Sequence, residues 1–160
     1  MNRIVVGIAQ YNIGRAPQKL VTYGLGSCVA VVLHSVEIGV GCMAHVMLPY
    51  AFDEVETGTP GKFADTAVAE MVRQMEARGT GPSRLSAKIA GGADMLAGQF
   101  KGPGASIGAR NVLAVRSILE TFGINLAAQD VGGTAGRTVE FTIETGLFMV
   151  RTLNGGVKEL

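Results

Sequence analysis

The chain has 160 residues, 48% of them apolar, and a formal charge of only +1, enough for one globular domain over 1–160 with a single sizeable core. Lys and Arg form no stripe and no run approaches the roughly 18 apolar residues of a membrane span, which excludes an electrostatic grip on nucleic acid and membrane insertion. With no signal-like N-terminus and two cysteines, too few for a disulfide framework, a cytoplasmic setting is expected.

In chain order, Ile4 to Ile8 reads as a strand, and Lys19 to Tyr23 as a second that ends in the turn Gly24-Leu25-Gly26-Ser27. Cys28 to Leu33 is a continuous apolar, mostly β-branched run, the signature of a strand covered on both faces. A hairpin around His34-Ser35-Val36 leads to a long strand, Glu37 to Leu48, which Pro49 ends. Ala51 to Lys62 carries Asp53, Glu54, Glu56 and Pro60 and is too polar and broken for the core, so a mobile surface loop is expected.

Ala64, Ala67, Val68, Met71, Val72 and Met75 then recur at helical spacing, with Arg78 and Gly79 as a basic last turn and glycine stop. Leu85 to Ala90 returns to strand. The glycine-rich Gly91 to Gly108 has room for a short helical turn near Met95 and Leu96. Val112, Val115, Leu119 and Phe122 share a face of a helix over Ala109 to Phe122, stopped by Gly123. Three strands follow, Ile124 to Gln129, Arg137 to Thr145 and Leu147 to Leu153, the last two joined through Gly146. Alternation of Val139, Phe141 and Ile143 with polar residues gives one buried and one wet face. Many strands with close hairpins and two long helices make an α+β layout, two stacked mixed β-sheets with outer helices.

Chemistry concentrates around the glycine turn. Cys28 leaves it with glycines nearby, where backbone N–H groups at Gly26 and Ser27 can face an oxyanion. As a small hydrophobe opening an apolar strand, Cys28 would need no chemistry at all, and position alone leaves both readings open. Cys42, inside a strand, reads as core. Of the two histidines, His34 lies beside the hairpin and is expected to be solvated. His45, in an otherwise apolar strand, needs a hydrogen-bond partner, and parity puts it on the face opposite Cys42.

If the strands of Cys28 and His45 pair through the hairpin, thiol and imidazole come opposite each other, which favours a nucleophile and base over two unrelated core residues. With no carboxylate nearby, Thr22 is the available group to orient the ring, although it also reads as an ordinary strand residue. The glycine turn lacks the third glycine of a dinucleotide site, and the histidines and thiols offer no metal set, so no cofactor is expected.

The segments Leu25-Gly26-Ser27-Cys28-Val29-Ala30-Val31 and Ala44-His45-Val46-Met47-Leu48-Pro49 resemble the CheD family of chemoreceptor glutamine deamidases. So do Lys62-Phe63-Ala64-Asp65-Thr66-Ala67, Lys88-Ile89-Ala90-Gly91-Gly92-Ala93, Ser106-Ile107-Gly108-Ala109-Arg110-Asn111-Val112 and Glu140-Phe141-Thr142-Ile143-Glu144-Thr145-Gly146. The resemblance implies a catalytic triad of Cys28, His45 and Thr22, an α/β/β/α sandwich, and hydrolysis of receptor glutamine to glutamate through a thioester. It also implies possible action on receptor methyl esters and the phosphatase CheC as a partner. An idle adaptor that binds receptor or CheC through the same surface is the alternative.

Overall fold

In the computed structural model, which describes residues 2–52, 58–96, 106–153 and 155–160, the apolar run after Cys28 forms a strand, Val29–Ser35, with every residue buried. Ten strands and two long helices are described: β1 (Arg3–Val5), β2 (Tyr11–Arg15), β3 (Lys19–Leu25), β4 (Val29–Ser35), β5 (Val40–Val46), α1 (Ala64–Glu76), β6 (Ser86–Gly91), α2 (Ile107–Thr121), β7 (Asn125–Val131), β8 (Arg137–Thr142), β9 (Leu147–Thr152) and β10 (Gly156–Glu159).

They form two five-stranded mixed sheets, ordered β1-β3-β8-β9-β10 and β2-β5-β4-β6-β7. β1 runs parallel to β3 and β6 parallel to β7, and the other pairs are antiparallel. Period-2 alternation splits the second sheet between two cores. Val29, Val31, Leu33, Cys42 and Ala44 face the helices, whereas Ala30, Val32 and Met43 face the first sheet's Leu20, Val139, Phe141, Ile143 and Phe148. The expected stacked mixed sheets with helices outside are therefore present. Both described helices lie over the second sheet, so these layers run α/β/β, with polar residues such as Glu140 on the outer face of the first sheet.

Both helices keep their predicted stripes. Ala64, Ala67, Val68, Met71, Val72 and Met75 are all buried, and α1 stops where Gly79 takes φ +93° and the Thr80 N–H returns to Met75 O. α2 begins two residues earlier than the periodicity predicts because the Ser106 Oγ accepts the Ala109 N–H and caps it. Met95 and Leu96 form a turn, while 97–105 and 53–57 lie outside the described residues. Two strands have no counterpart in the sequence reading: β2, interrupted by Asn12 and Gly14, and β10, wholly exposed. Each is the edge of its sheet, where little burial leaves little apolar pattern.

Candidate active site

The β4–β5 hairpin pairs Ser35 with Val40, making Val36 to Gly39 the turn, and this sets the register of everything beyond it. Ala30 stands opposite His45 and Val29 opposite Val46. The simple register puts Cys28 directly across from His45; the longer turn moves the pairing by two residues. An even shift keeps the face, so Cys28 remains diagonal to His45 on the side of Ala30, between the two sheets. Cys28 is half-buried, packed beside the intersheet core, while Cys42 is fully buried on the helix side.

Thr22 reaches the same space from the other sheet. A β-bulge follows it in β3, where Thr22 pairs with Val139 and Leu25 with Arg137, and Gly24 takes φ +67°. The bulge turns the chain out of β3 towards Ser27 and Cys28. The Thr22 Oγ1 lies 2.8 Å from His45 Nδ1 and 2.6 Å from the carbonyl oxygen of Val6. A carbonyl can only accept, so the hydroxyl proton goes to Val6 and the Thr22 oxygen must accept from Nδ1–H. This assigns the tautomer: Nδ1 carries the proton and Nε2 carries the lone pair. Nε2 is buried and has no hydrogen-bond partner among the described residues. No hydrogen bond joins it to Cys28 in this structure.

Burial sets the charge state of the pair. It pushes the Cys28 thiol above its ordinary pKa and lowers that of the His45 imidazole, so thiol and ring rest neutral. Backbone donors stand near the sulfur. The Gly26 N–H bonds Gly24 O within the turn, whereas those of Ser27 and Cys28 bond to no described residue. Gly92 N–H holds Cys28 O at 2.8 Å and Ala93 N–H holds Gly26 O at 2.9 Å, which fixes the turn against the end of β6.

His34 corrects its expectation. It is buried between the sheets, its Nε2 bonded to Ile143 O at 2.8 Å and its ring edge-on to Phe141, because the turn falls one residue beyond Ser35 and leaves His34 inside the ladder. Asn111 is a residue the sequence reading missed as part of the site. Fully buried on α2, it donates from Nδ2 to Ser27 O and to Met47 O, each at 2.9 Å. A polar side chain four residues before Val115, on the apolar stripe of that helix, was its signal. Among the described residues, no group of three or more His, Cys, Asp or Glu forms a metal cluster, and no helix is long and apolar enough to cross a membrane.

The model of a family described as CheD chemotactic sensory transduction matches residues 47–152. The chain belongs to the CheD family. It is 49% identical to a Thermotoga maritima protein named chemoreceptor glutamine deamidase CheD, over 95% of this chain and 93% of that one. It is 44% identical to a probable chemoreceptor glutamine deamidase CheD 2 from Geobacter metallireducens, over 100% of both. A solved Neisseria meningitidis protein with the DUF152 family model superposes with a TM-score of 0.47 at 16% identity, over 84% of this chain and 63% of that one. The segment matched by the CheD model opens at Met47, after Thr22, Cys28 and His45, while the Geobacter relative aligns across all three.

Proposed function

We propose that this CheD protein hydrolyses glutamine side-chain amides of chemotaxis receptors to glutamate, with Cys28 as nucleophile, His45 as base and Thr22 as the residue that holds the base in its working tautomer. The observation that carries the reading is the Val6–Thr22–His45 chain, which leaves an unprotonated Nε2 on the face that Cys28 shares. The names of the relatives supply the substrate class.

Both groups rest neutral, so the thiol proton passes to Nε2 as the sulfur attacks the amide carbon. The carbonyl electron pair moves to oxygen, where the N–H groups of Ser27 and Cys28 are the available donors. As the tetrahedral adduct collapses, the C–N bond breaks and the imidazolium gives its proton to departing ammonia. Water then loses a proton to Nε2 and adds to the thioester. The C–S bond breaks, the sulfur regains the proton, and glutamate leaves. A methyl ester offers an alkoxide that the same imidazolium can protonate, so receptor ester hydrolysis belongs to the proposal, as does CheC as a partner.

The test is mass spectrometry of a receptor cytoplasmic fragment incubated with wild type and with Cys28→Ala. Wild type should add about 1 Da at particular glutamines, the amide-to-acid change of this chemistry, and the variant should add none. Identical spectra from the two proteins would favour the idle adaptor instead.

A further inference from the structure

We propose that Asn111 is a positioning residue that locks the Ser27–Cys28 peptide so that the Cys28 N–H is presented as an oxyanion donor. The proposal rests on the deamidase reading of Cys28 above. β4 and β5 pair down to Val29 and Val46, and there the ladder ends. Beyond it the chains part. Cys28 O is drawn to the Gly92 N–H at 2.8 Å, while the N–H groups of Met47 and Leu48 both turn to Lys62 O, at 2.9 and 3.0 Å. The fork leaves the carbonyls of Ser27 and Met47 without strand partners.

Asn111 fills it from α2, with both Nδ2 bonds at 2.9 Å to residues 84 and 64 positions away in the chain. Two carbonyls can be served only by an amide's NH2 end, so the orientation of the side chain is set by chemistry. Its Oδ1 is buried without a partner among the described residues, an expense that an apolar residue on this stripe would not carry. That expense secures a defined peptide plane.

In a trans peptide the carbonyl and the following N–H point in opposite directions. Holding Ser27 O towards α2 therefore aims the Cys28 N–H away from α2, and that N–H bonds to no described residue. The bonds of Gly92 and Ala93 hold the carbonyls on either side, Cys28 O and Gly26 O, but not the Ser27 carbonyl itself, so without Asn111 the plane of the Ser27–Cys28 peptide can tilt and carry its N–H off the oxyanion position. The second bond, to Met47 O, ties the same amide to the chain two residues past His45.

The test compares two reactions of Cys28 in wild type, Asn111→Leu and Asn111→Ser. Deamidation of a receptor cytoplasmic fragment passes through an oxyanion; alkylation of the thiol by iodoacetamide is a direct displacement at carbon and forms none. Loss of one oxyanion donor should lower kcat for deamidation about 100-fold, with KM little changed. The alkylation rate should stay within about threefold of wild type, since thiol and imidazole remain. Leu119→Ala, which creates a cavity on the same helix, should lower the melting temperature without separating the two rates. If Asn111→Leu does not fold, Asn111→Ser, which is smaller and keeps one donor, supplies the comparison. Folded variants with wild-type kcat, or with both reactions slowed in equal proportion, overturn the proposal. A wild type that leaves receptor glutamines unchanged sinks the deamidase reading, and this one with it.

Discussion

Thr22 is a neutral residue bonded to the imidazole where a carboxylate often stands. Its hydroxyl is committed to the Val6 carbonyl, so its oxygen can only receive the imidazole proton. Thr22→Val keeps the shape and removes both bonds, freeing the ring to carry its proton on Nε2, where it cannot act as base. We predict a fall in kcat of about 10- to 100-fold by ammonia release, with Thr22→Ser restoring most of it. A Thr22→Val enzyme as fast as wild type would show that the tautomer is set elsewhere. Cys28, Thr22 and His45 could be singled out as candidates from the sequence because they sit beside conspicuous features: a glycine turn, a strand end, and apolar neighbours around a histidine. Asn111 was harder to read, since its partners are backbone carbonyls that only the folded chain brings together.

At the scale of elements, the site depends on how β6 ends. Gly91 takes φ +116°, and a Cβ there would stand 2.2 Å from Cys28 O. Neither the conformation nor the contact admits a side chain. Gly91→Ala should cost at least about 2 kcal/mol in urea denaturation and slow receptor deamidation as well, because relief of the clash moves the Cys28 peptide. A loss below about 0.5 kcal/mol would mean that the turn has slack the geometry does not suggest. Helices and central strands were readable for a related reason: each must bury a full stripe or face, which writes a period into the sequence. The edge strands give less to read: β2 sets only Tyr11 and Ile13 against the helix-side core, and β10 is exposed throughout. The two-residue shift at Cys28 was unreadable because a hairpin register follows from turn length, and Val36 to Gly39 carries no short-turn pair such as Asn-Gly.

Across the whole molecule, both histidines lie between the sheets. Burial lowers the pKa of each: for His34 against a smaller raising effect of its bond to Ile143 O and with help from the Lys88 charge, for His45 by desolvation. A histidine that binds its proton less readily when folded gives stability that is complete above its unfolded pKa, about 6.5, and is lost as pH falls below it. The unfolding free energy from urea titrations should therefore decline from pH 7 towards pH 5, by at most about 1.4 kcal/mol per pH unit for each ring. His34→Asn should flatten that slope; an unchanged slope would locate the acid sensitivity in other groups. The stacking of two sheets was legible in the unbroken apolar runs, which need cover on both sides. That both described helices share one sheet was not, because a helical stripe records only that it is buried and not against which layer.

The half-buried, neutral state of the Cys28 sulfur also bears on its chemical lifetime. Peroxide attacks the ionised form of a cysteine, and burial, by raising the pKa of the Cys28 thiol, disfavours that form. Oxidation to a sulfenic acid would accordingly be slower than at a fully exposed thiol of ordinary acidity.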